Sequence, residues 1–223
     1  MTEARSANRL CILRLVLVPG LITLAVTVLR LVGELQRWSE TWFNRSMGWS
    51  VVGITWLAPV FGVYFALKLA KTGAGPKSFP RTIGYSLLGV LIFLCGLFLP
   101  GLLGIQHGFY GRLIYGWALF AVAALVTLPG WPELFKTLLA YGYCVRLPVA
   151  IIMFFAIRGS WGTHYDAVPP DLPALSLIPK YLWIGFFPQL ILWVAFTILT
   201  GMLFGTIGDG IARLVRLERQ APA

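Results

Sequence analysis

Apolar and polar residues alternate along this chain in long blocks, not at the short periods of a water-soluble domain. Six apolar stretches fall near residues 10–33, 49–70, 83–104, 113–129, 136–157 and 181–207, and nearly all the charge lies between them. About 20 apolar residues wound as a helix match the hydrocarbon thickness of a bilayer. Backbone polar groups in lipid have to be satisfied within the segment, so the pattern predicts an all-α, polytopic transmembrane helix bundle of about six spans. The whole of 1–223 reads as one integral membrane domain, with a short basic amphipathic tail over 208–223 suited to lie along headgroups.

The connections carry the punctuation. Glu34 to Gly48 mixes Trp38, Trp42 and Phe43 with Glu34, Arg37, Glu40 and Arg45, the make-up of a membrane interface belt. The second connection is basic and turn-rich, with Gly73, Gly75, Pro76 and Pro80. A tight Pro129-Gly130-Trp131-Pro132 turn follows the fourth stretch, and the longest connection, Gly159 to Lys180, holds four prolines. With the N-terminus inside, the cytoplasmic face receives Arg5, Arg9, Lys68, Lys71, Lys77, Arg81, Lys136, Arg213, Arg216 and Arg219. The opposite face receives Arg37, Arg45, Arg112, Arg158 and Lys180. That imbalance predicts both termini on the cytoplasmic side.

Composition sharpens this picture. Of 223 residues, 58% are hydrophobic and 12% charged, about half the charge of a soluble domain. The net charge of +10 suits anionic headgroups at cytoplasmic loops and the tail. No basic run interleaved with aromatics stands in a soluble segment, so nucleic acid is not an expected partner. Cys11, Cys95 and Cys144 are few and widely spaced, which argues against a disulfide framework or a thiolate metal site. The basic N-terminus imitates a signal peptide, but the apolar run continues to Val32 without a small-x-small cleavage site and reads as a retained first span.

Few residues are candidates for chemistry. Arg146 stands in the fifth stretch, ten residues after Lys136 and twelve before Arg158, at roughly 15 and 18 Å along a helix. An arginine near mid-membrane costs about 2.5–3.5 kcal/mol on insertion scales and calls for a carboxylate, free carbonyls, a wet cavity or a bound anion. A second geometry breaks the segment before Leu147, lays 133–144 along the interface and makes Arg146 a boundary residue, with Pro148 in a first helical turn. Arg30 and Glu34 are one turn apart and can pair, or Glu34 can serve an arginine of another helix. His164 and Asp166 can bind a cation or act as an acid–base pair, while a capped loop explains the same residues; His107 can approach His164 from the same side. Gln189, after Pro188, carries an amide that needs partners in lipid. Gly201-x-x-x-Gly205 permits close helix approach. The Pro-Gly pairs at 19–20, 100–101 and 129–130 read as kinks and helix ends or as broken helices lining a site. No metal site, cofactor or catalytic motif is expected.

Three functional readings follow, in this order. The first is a non-enzymatic accessory or scaffold subunit of a membrane assembly, with a membrane-protein partner or a second copy of itself. Next comes a small transporter or channel with Arg146 in an anion-binding or counter-charge role. Last is a membrane-embedded enzyme using His164 and Asp166 at the outer face. The expected location is a plasma (inner) membrane, crossed several times.

Overall fold

A computed structural model describes residues 2–46, 50–104 and 108–220, with side chains described from Ile12 to Arg216 within those ranges. His107 and the side chains of Arg5, Arg9, Cys11 and Arg219 lie outside the described residues. Every regular element among the described residues is helical: α1 (Thr2–Leu35), α2 (Leu57–Lys71), α3 (Phe79–Leu102), α4 (Gly108–Val126), α5 (Pro132–Gly159), the short α6 (Leu177–Tyr181), two π-helical turns (Leu182–Phe186 and Pro188–Leu192) and α7 (Trp193–Gln220). Five segments are long and apolar enough to cross a membrane: Ile12–Leu35, Phe79–Leu102, Gly108–Val126, Pro132–Gly159 and Leu177–Arg216. The protein is an all-α bundle of membrane-spanning type.

The second apolar stretch differs from the others. It is helical only from Leu57, over 15 residues, which is about 22 Å of rise against a hydrocarbon core of about 30 Å. Pro59 sets the start. It lies in the first turn, where the missing N–H has no intrahelical acceptor to lose. Extending the helix backwards would require that N–H, and Val51, Val52, Gly53, Ile54 and Thr55 are poor helix formers. The chain over 50–56 runs instead through turns and bends.

Two further expectations are revised. Residues 208–220 are not a separate tail but the end of α7. There Asp209 is fully buried and its Oδ2 accepts from Arg213 Nε at 2.7 Å. The Pro-Gly pairs also do not form broken helices: Pro19-Gly20 lies inside continuous α1, Pro100-Gly101 at the end of α3, and Pro129-Gly130 between α4 and α5. The irregular backbone lies elsewhere, in the π turns around Pro188. Pro188 offers no N–H and its ring crowds the carbonyl four residues before it, which widening to π geometry accommodates.

The core is built around α5 and α7. α7 packs on α2, α3, α4 and α5, α1 lies against α5, and α3 against α4. Phe65, Leu134, Leu138 and Met202 are fully buried at the centre. Outward-facing residues such as Leu91, Phe98 and Leu102 are exposed and apolar, as a lipid-facing surface requires. Gly201 and Gly205 of α7 lie against α2 and α5 of the same chain. A Cβ on Gly205 would meet the Gly62 carbonyl at 2.8 Å, and one on Gly201 would meet Leu138 Cδ2 at 2.3 Å. Thr197, Thr200 and Ser86 donate to carbonyls one turn back in their own helices. Cys95 and Cys144 are free thiols.

Candidate functional site

α1 presents a polar stripe inside an apolar helix. Thr23, Thr27, Arg30 and Glu34 follow one another at spacings of four, three and four, so they share one face, and all four are buried. Thr23 and Thr27 donate to the carbonyls of Pro19 and Thr23, and the Thr23 hydroxyl lies 2.7 Å from that of Tyr141 on α5. At the end of the stripe the Glu34 carboxylate is fully enclosed. Its Oε1 accepts from Arg30 Nε at 2.7 Å, and its Oε2 accepts from the backbone N–H of His164 at 2.9 Å. His164 Nδ1 lies 2.6 Å from Oε1. Since the acceptor is a carboxylate, Nδ1 carries the proton.

Glu34 thus ties the loop over 160–176 to α1 across 130 residues of sequence. Asp166 has a different task. Its carboxylate accepts from the N–H groups of Gly162 and Thr163 and from the Thr163 hydroxyl, which closes the turn that presents His164. The structure therefore directs His164 and Asp166 to separate partners. Arg112 near the start of α4 pairs with Asp171 and holds the far half of the loop. Tyr165 is 3% exposed and donates its hydroxyl to the Thr27 carbonyl at 3.3 Å. Burial raises the pKa of that phenol above the ordinary tyrosine value, so it stays a neutral donor.

Burial also lowers the His164 pKa. The Glu34 hydrogen bond pulls upward, the Arg30 cation pushes downward, and the net result lies below the ordinary imidazole value. The unfolded chain, with a pKa near 6.5, then binds more protons than the folded one as the medium acidifies. Stability supplied by neutral His164 is complete above about pH 6.5 and is lost as pH falls below it. We expect the melting temperature in detergent to drop between pH 7.5 and pH 5.5, and His164→Gln to remove most of that slope. An unchanged slope in the variant would assign the effect to other groups.

Arg146 lies fourteen residues after Pro132 and thirteen before Gly159, at the middle of one continuous helix. The geometry with a break before Leu147 is not the one adopted. The side chain is 4% exposed. Among the described residues no carboxylate pairs with it, and its Nε has no hydrogen-bond partner. Its guanidinium carbon stands 4.8 Å from the ring centre of Trp193, a cation–π contact. Gln189, in the second π turn, reaches Met153 Sδ with Nε2 at 3.4 Å, while its Oε1 is buried and unpartnered.

These elements line a partly open cavity of about 410 Å³, with Arg30, Arg146, His164, Tyr165 and Gln189 on its wall. Four residues singled out from sequence, Arg30, Arg146, His164 and Gln189, meet there, and Glu34 stands behind two of them. Asp166 supports the loop, and Gly201 and Gly205 serve packing. Thr27, Tyr165, Trp183 and Trp193 also line the cavity and escaped the sequence reading. The 23–27–30–34 spacing was a legible signal for Thr27; nothing local marks the other three. No group of three or more His, Cys, Asp and Glu side chains suited to a metal ion occurs among the described residues. No protein-family model, curated protein or solved structure matches this chain.

Proposed function

We propose that this multi-pass membrane protein binds an anion inside its bundle and belongs to the small transporter or channel class, with Arg146 as the anion-binding residue. One observation carries the reading: a buried guanidinium that pairs with no carboxylate among the described residues faces a cavity large enough for a small-molecule ligand. A buried unpaired charge is costly, and a bound anion is the partner that resolves it. The π turns that place Gln189, Ile184 and Pro188 on the cavity wall support a moving part, since π-helical turns often mark functional sites. The accessory-subunit and headgroup-enzyme readings have no comparable feature in their support.

Arg146→Leu is the direct test. Wild-type protein in mild detergent should gain thermal stability with rising acetate, butyrate or phosphate, following RT ln(1 + [L]/Kd). The variant should lose that gain, with affinity falling at least tenfold, while its ligand-free stability holds or rises because an unpaired buried charge is gone. Equal anion stabilisation of both proteins, or an Arg146→Leu protein that no longer folds, would overturn the assignment.

A further inference from the structure

We infer that the ligand is an amphiphile with a single negative charge: an oxyanion head, carboxylate or phosphodiester, seated at Arg146 and Gln189, with an apolar chain running along the aromatic wall. This deepens the anion-binding reading and rests on it.

The charge count selects the head. Two cations line the cavity, Arg30 and Arg146, and Glu34 neutralises the first through a 2.7 Å contact. His164 donates to that same carboxylate from its neutral form, and Asp166 spends its carboxylate on the loop's own donors. Among the described residues, one positive charge, on Arg146, is left without a counter-charge. On the same cavity wall the Gln189 amide donates to a thioether sulfur, a weak acceptor, and its Oε1 has no partner among the described residues. An oxyanion takes the guanidinium and can accept from the Gln189 amide N–H, and a head that also carries a hydroxyl can donate it to Oε1.

Volume and wall chemistry select the chain. An inorganic ion is of the order of a water molecule, about 30 Å³, and would leave most of a 410 Å³ cavity unfilled. Much of the remaining wall is apolar, including Leu113, Val149, Trp183, Ile184 and Leu192. Trp183 is held rigid by stacking on Trp117 at 5.3 Å. A second cavity of about 320 Å³ adjoins the first, sharing Arg30, Thr55, Leu192 and Trp193, and extends the apolar lining to Trp56, Phe93 and Leu97. Leu192 and Trp193 line both spaces, and a hydrocarbon chain suits an elongated apolar lining of this kind.

Native mass spectrometry of the full chain in mild detergent tests this, with oleate, oleyl alcohol, butyrate and dioleoyl phosphatidylglycerol as probes. Oleate or phosphatidylglycerol should give a 1:1 adduct at least tenfold tighter than oleyl alcohol, which lacks the charge, and than butyrate, which lacks the chain. Preference for phosphatidylglycerol identifies a bilayer phospholipid as the source, and preference for oleate a free fatty acid. Arg146→Gln should weaken the adduct at least tenfold and Gln189→Leu severalfold. Should Arg146→Gln fail to fold, the alcohol and butyrate comparisons on wild type decide alone. Oleyl alcohol binding as well as oleate would overturn the inference. Butyrate binding as tightly as oleate, with Arg146 required, would overturn the amphiphile and leave the anion reading standing. Absence of any Arg146-dependent adduct would remove both.

Discussion

Glu34→Ala should destabilise the protein by about 3–5 kcal/mol, the cost of leaving a buried cation unpaired. Three donors converge on this carboxylate: Arg30 Nε, the His164 amide and His164 Nδ1. Removing it strands a guanidinium whose side chain is only 10% exposed, and it also cuts the tie between α1 and the 160–176 loop. Both Arg30 and His164 line the cavity, so ligand binding should fall with stability. Glu34→Gln keeps the shape and one acceptor oxygen and should lose less. Thermal unfolding of purified protein in one detergent measures both variants. A loss under about 1 kcal/mol for Glu34→Ala, the range of an exposed ion pair, would mean that this contact is open to water.

The second large effect is expected at Gly62 on α2. A Cβ there would lie 2.4 Å from the Gly201 Cα and 2.7 Å from the Gly201 carbonyl oxygen. Those atoms are backbone, so no rotamer change can relieve the clash, and α2 and α7 have to separate. Overpacking of this kind costs about 1–3 kcal/mol, and Gly62→Ala should fall at the upper end or beyond. Gly201→Ala should cost less, because its new Cβ meets Leu138 side-chain carbons instead of backbone. Gly101→Ala on α3 is the control. Nothing lies within 4 Å of its Cβ, and relief from glycine's poor helix propensity makes that change neutral or stabilising. If all three variants melt alike, the close approach of α2 and α7 is not what holds the bundle.

The Arg30–Glu34 pairing shows how far local spacing reaches. The i,i+4 geometry announced it, but nothing in the chain announced that the partner completing the carboxylate's coordination lies 130 residues away in a loop. His164 and Asp166 show the converse. They are neighbours in sequence and suggest one site, yet loop closure gives Asp166 to backbone donors and His164 to Glu34. Adjacent side chains in an irregular loop point where the turn sends them, and turn geometry depends on what the loop docks against.

The sequence by itself determined that lipid is this protein's solvent. Long apolar blocks leave the backbone no option but helix. It also exposed Arg146, because a charge in a 28-residue apolar helix is costly whichever way the helix packs. Only the tertiary structure decided that no carboxylate among the described residues would pair with this charge and that it would face a cavity. A helix face acquires meaning from what opposes it, and the groups opposing Arg146 come from distant parts of the chain: Trp193 at the start of α7, Gln189 from a π turn and Tyr165 from a loop. Lipid imposes helicity through each segment's own hydrogen bonds, whereas assembly of those helices follows from side-chain fit, which no single segment contains.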